Sequence, residues 1–132
     1  MTYGTTVVLH QPFDDAVAAV RVALSDQGFG VLTETDMQAT MKAKVGADLA
    51  PYLILGACNP PLAYRALQAE PSVGLLLPCN VIIRQTDQGT VVEAIDPMTM
   101  VSISGNPALQ PVVDEVAVRL NAALAALTAQ TT

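Results

Sequence analysis

The side chains in this sequence best suited to chemistry are two cysteines, Cys58 and Cys79. A thiolate is a nucleophile, a redox partner and a ligand for soft metals, so paired thiols suggest a soft-metal or disulfide site. Each lies at a proline-marked boundary. Cys58-Asn59-Pro60-Pro61 ends one apolar run, and Pro78-Cys79 follows another. If the two flanking strands run antiparallel, the end of the first meets the start of the second and the thiols converge. The motif itself is poor, with no Cys-x-x-Cys and no histidine nearby. A structural zinc site takes four ligands, and the chain has two cysteines and one histidine. The alternative is that both cysteines are small buried hydrophobes, the usual state of a free thiol. Both readings stay open here.

Other groups widen the search. Met98 and Met100 carry thioethers that suit Cu(I), although methionine more often fills gaps in a core. His10 is the only histidine, so a histidine-based nucleophile would need a Cys58–His10 dyad, which nothing in the spacing brings together. Arg84 and Glu93 lie on two successive β-rich runs. Opposite charges on hairpin arms form cross-strand pairs, and the second reading is that both face a polar ligand on the sheet. Asp14, Asp15, Asp114 and Glu115 fall in helix first turns, where the dipole and solubility explain them. Phosphate-binding loops, dinucleotide fingerprints, zincin motifs and nucleophile elbows are all absent from the sequence.

The composition bounds the partners. Hydrophobic residues make up 52% of the 132 and charged residues 14%, well below the usual quarter or so. Aromatics are 4%, so the core must be aliphatic. Disorder is excluded, because disordered chains combine low hydrophobicity with high charge. The net charge is −6, and the six bases Arg21, Lys42, Lys44, Arg65, Arg84 and Arg119 are scattered, which argues against nucleic acid and anionic membranes as partners. No apolar run is long enough to span a bilayer. The opening residues lack a basic and apolar leader, so no signal peptide is expected and the cytoplasm is the expected compartment.

The elements that must position these groups follow from periodicity. Residues 4–9 are β-branched and predict a strand. Pro12 opens a helix with Phe13, Val17, Val20 and Leu24 along one stripe, and Gly28 stops it. Residues 29–35 predict a second strand, and Asp36 caps a short helix over 37–45 that ends at Gly46. A continuous apolar strand spans 52–57, a short helix 62–69, and a further apolar run 73–77. Residues 80–86 and 90–96 predict a hairpin turning at Asp87-Gln88-Gly89. Residues 97–104 read as either a strand or an extended loop. Asn106-Pro107 then opens a long terminal helix with Val113, Val116, Leu120, Leu124 and Leu127 as its stripe, and Pro111 delays its regular part.

Strict strand–helix alternation fails, so the expected architecture is one α+β domain over residues 1–132. A mostly antiparallel sheet carries long first and last helices on one face, in the order β-α-β-α-β-α-β-β-α. The expected strands around 52–57, 73–77 and 81–83 are apolar on both alternating faces, so both faces of the sheet should be covered. Helices cover one. A partner subunit or a bound ligand is expected to cover the other.

Gly28-Phe29, the block Tyr52-Leu53-Ile54-Leu55-Gly56-Ala57-Cys58-Asn59-Pro60 and the block Gly74-Leu75-Leu76-Leu77-Pro78-Cys79-Asn80-Val81 resemble the domain-of-unknown-function 302 family. That resemblance implies a TATA-binding-protein-like α+β fold and a homodimer. It implies no activity. The expected function is a non-catalytic homodimeric binding or interaction protein, holding a small apolar ligand or docking a protein partner on its sheet or in an inter-subunit cleft. The alternative is a thiol-based soft-metal or redox protein using Cys58 and Cys79. Cys58, Asn59, Pro60, Pro78, Cys79, Arg84 and Glu93 form the candidate region. No cofactor is expected beyond a soft metal ion at the two thiols.

Overall fold

Period-two alternation in the β-rich segments directs one set of side chains towards the helices, and the computed structural model, which describes residues 3–130, shows which set. The strands β1 (Gly4–Leu9), β2 (Gly30–Asp36), β3 (Tyr52–Cys58), β4 (Cys79–Thr86) and β5 (Gly89–Ile95) form one antiparallel sheet in the order β1-β5-β4-β3-β2. Leu53, Leu55 and Ala57 of β3, Val81 and Ile83 of β4, and Val92 and Ala94 of β5 point inward and are buried.

Three helices meet this inner face. Helix α1 (Phe13–Asp26) buries Ala16, Val20, Ala23 and Leu24. Phe13 and Val17, expected on the same stripe as Val20 and Leu24, are only partly buried against the core. Small Ala16 and Ala23 occupy the centre, which lets the helix approach the sheet closely. After α2 (Met37–Val45) and α3 (Pro60–Ala69), the terminal helix α5 (Gln110–Gln130) lies against α1, β1 and α3. All five of its predicted stripe residues are buried, joined by Val112 and Ala123. The void among α1, α5 and the sheet is about 10 Å³, too small to be more than a packing defect.

Two expectations fail, each for a local reason. Residues 73–77 are not a strand. Pro71–Leu76 form a 3-10 helix, started by Pro71 and closed by the Val73 N–H on the Glu70 carbonyl and the Leu77 N–H on the Gly74 carbonyl. Only Val73 of this segment is buried, and Leu75 is 89% exposed. Residues 97–104 are neither strand nor extended loop. They carry a further helix, α4 (Thr99–Ser104), in which the Asp96 carboxylate accepts the Met98 N–H at 2.9 Å and Gly105 ends the turn at φ 66°. Asp96-Pro97 is the same cap-and-proline signal that opens the last helix, where Asn106 caps a 3-10 turn at Pro107–Leu109 before α5 begins.

Gly56 marks the tightest point of the outer face. A Cβ built there would lie 2.6 Å from the Pro78 ring and closer still to the Thr33 hydroxyl. Gly56→Ala should therefore lower the unfolding free energy, read by chemical denaturation, by about 1–3 kcal/mol, the cost of forcing packed neighbours apart. Gly74→Ala, with nothing within 4 Å of its added methyl, should be near neutral. Equal behaviour of the two variants would refute this account of the outer face.

Candidate functional site

The outer face of the sheet, opposite the core, holds an open concavity. Its volume is about 470 Å³. The hairpin brings Arg84 of β4 beside Glu93 of β5, and the Arg84 Nε donates to Glu93 Oε1 at 3.0 Å. The cross-strand pair expected from the sequence is present, and it also lines the hollow that a ligand would enter. Thr6, opposite Glu93 on β1, donates its hydroxyl to Glu93 Oε2 at 3.3 Å. Tyr52 stands opposite Arg84 on β3, while Asn80 and Ile82 precede it on the same face of β4. Ile95 and Tyr3 complete the wall.

Thr6, Tyr52 and Asn80 were not among the residues singled out from the sequence. The signal for them was the period-two alternation: once Arg84 faces out, Asn80 and Ile82 must do so too, and antiparallel pairing brings Tyr52 level with it. Only the strand order says that β1 lies beside β5 and delivers Thr6.

The cysteines lie at the end of the β3–β4 ladder. Ala57 pairs with Cys79, so Cys58 is one residue from direct register, and both cysteines line one narrow crevice at that end of the sheet. Met100 reaches the same crevice. Met98 does not; its sulfur accepts from Gln110 Nε2 at 3.5 Å on the surface. Asn59 and Pro60 serve α3, one by accepting the Leu62 N–H at 3.5 Å and the other as a first-turn proline. Pro78 covers Gly56.

This crevice has little free volume, about 20 Å³. Burial pushes the Cys79 thiol from its ordinary 9.0 up to about 11, with a smaller upward push from charge on Cys58. Burial also raises Cys58. Both thiols are therefore held neutral at neutral pH, the opposite of what a nucleophile or metal ligand requires. Among the described residues no cluster of three or more histidine, cysteine or carboxylate side chains is arranged to hold a metal. His10 is far from Cys58. It follows β1 beside Gly89 at the hairpin end of the sheet, while Cys58 sits at the other end of the eight-residue β4. At about 3.3 Å per residue the dyad cannot form.

Because the folded chain holds the Cys79 proton more tightly than the unfolded chain, this contribution to stability is intact below pH 9.0. It is lost as pH rises through the folded value near 11. Across that window the wild-type protein should lose on the order of 2–3 kcal/mol relative to Cys79→Ala in chemical denaturation. Parallel pH profiles would show that Cys79 titrates normally.

Comparison with known proteins places this arrangement in a family. The family model described as "Domain of unknown function DUF302" matches residues 5–127. The crystal structure of an uncharacterized conserved protein DUF302 from Bacillus stearothermophilus matches with a TM-score of 0.88 at 28% identity, covering 96% of this chain and 99% of that one. No curated protein matches. With its five-stranded antiparallel sheet and packed helices, the chain belongs to the domain-of-unknown-function DUF302 family.

Proposed function

We propose that this is a non-catalytic binding protein, acting as a homodimer, that holds a small, largely apolar ligand in the hollow of its outer sheet face. The observation that carries the reading is the concavity of about 470 Å³ on the face opposite α1 and α5, within the size range of small-molecule sites. Among the described residues its only charged lining groups, Arg84 and Glu93, are paired with each other. Val8, Ile54, Ile82 and Ile95 lie half-buried across the same face. A chain with 14% charged residues has little polar surface to spare, and a second copy closing over this face would remove apolar area from water. The cytoplasm remains the proposed compartment. Among the described residues no helix is long and apolar enough to cross a membrane.

Native mass spectrometry of untagged protein, purified without reductant or chelator, tests this. The wild type should be a dimer that releases a bound organic mass on denaturation. Ile82→Lys, a charge at the centre of the face, should be a folded monomer without that mass. A bare, well-behaved wild-type monomer at micromolar concentration would overturn the reading.

A second reading makes Cys58 and Cys79 a soft-metal or redox pair. What supports it is that both thiols and the Met100 thioether share one crevice. On this reading the wild type takes up one equivalent of Cu(I) and both Cys58→Ser and Cys79→Ser lose it. Unchanged uptake in either variant would end this alternative.

A further inference from the structure

We infer that the ligand of the outer face is a carboxylate carrying an apolar tail, gripped by the Arg84 guanidinium; this rests on the proposal that the face is a binding face. The hydrogen-bond arrangement motivates it. Glu93 uses both oxygens within the sheet, Oε1 accepting from Arg84 Nε and Oε2 from the Thr6 hydroxyl. Arg84 spends only Nε. Its Nη1 and Nη2 groups make no hydrogen bond to any described residue. The relay Thr6–Glu93–Arg84, drawn from three neighbouring strands, therefore orients a guanidinium and leaves its forked donors for something outside the chain. A fork of parallel N–H groups is complementary to a carboxylate or a phosphate.

Charge decides between these two. Among the described residues Arg84 is the only cation lining the hollow and Glu93 the only anion, so their lining is close to neutral overall. A carboxylate adds one negative charge to it. A phosphate monoester adds nearly two at neutral pH, beside Glu93 and on a chain already at −6. The remaining wall favours a tail: Ile82, Ile95, Tyr3 and Tyr52 line the same hollow as the guanidinium. Asn80, exposed four residues back along the same strand face, adds a polar amide at the far end of the hollow.

The test is calorimetric titration of delipidated wild type and Arg84→Gln with octanoate, octanol and octyl phosphate, with native mass spectrometry of the same preparations before delipidation. Octanoate should bind the wild type at least about tenfold more tightly than octanol, the worth of a charge-assisted hydrogen-bond pair. Arg84→Gln should erase that preference and leave octanol binding unchanged, which also shows that the variant is folded. Equal binding of octanoate and octanol to the wild type, or a preference that survives Arg84→Gln, overturns the carboxylate inference and leaves the binding face standing. Tighter binding of octyl phosphate than octanoate overturns it in favour of a phosphate. If none of the three binds a protein that purifies as an adduct-bearing dimer, the carboxylate inference alone fails. If none binds a bare monomer, the binding face fails with it.

Discussion

The structure depends on one asymmetry: a five-stranded sheet with its two long helices on the same side. Val20 and Leu24 of α1 and Leu120, Leu124 and Leu127 of α5 close over Val81 and Ala94 with almost no void between them. Burying each such side chain contributes about 1.5–3 kcal/mol. With few aromatics to fill space, the chain achieves density through close approach, and Ala16, Ala23 and Ala123 supply it. The consequence is that the other face receives no comparable layer from α1 or α5. Its strands still carry isoleucine and valine, and its charges are gathered in one pair.

That pair acts on geometry more than on stability. Both side chains are about a third exposed, and partly exposed ion pairs contribute from nothing to about 1 kcal/mol. What the arrangement does is fix direction. Glu93 is held from both sides, so the guanidinium has one preferred pose on the middle strand of the sheet. An arginine placed there for solubility alone would need no such support, and lysines on the edge strands would serve better.

The cysteines show how proximity and reactivity separate. The β3–β4 register brings them together, yet the crevice that receives them is apolar and nearly filled by Phe29, Leu62, Val112 and Val116. Desolvation raises both thiols, and closeness raises Cys79 further because two thiolates would repel. Proline and asparagine beside them have identifiable structural work: Asn59 and Pro60 start α3, and Pro78 packs on Gly56. The blocks that carried the family resemblance are thus accounted for by the junctions of β3 with α3 and of the 3-10 helix with β4.

Local patterns in the sequence determined most of the elements. Strand β1, helix α2 and the Arg84–Glu93 hairpin follow from β-branched composition, from Asp36 and Gly46 as caps, and from a glycine turn, all signals contained within a few residues. The errors fell where apolar composition spoke without periodicity. Residues 73–77 are as hydrophobic as a buried strand, but a proline start and local i to i+3 bonds make a 3-10 helix, and α4 is opened by Asp96-Pro97 in a stretch too short to show a helical stripe. Period two places Asn80, Ile82 and Arg84 on one face of a strand whatever the fold, so the sequence alone determined that these side chains share a face. Which face the helices would cover, that β1 would lie beside β5 and bring Thr6 to Glu93, and that Cys58 and His10 would stand at opposite ends of the sheet were decided only by the tertiary structure. Strand order is a long-range choice, set by which arrangement buries the stripes of α1 and α5, and no short window of sequence contains it.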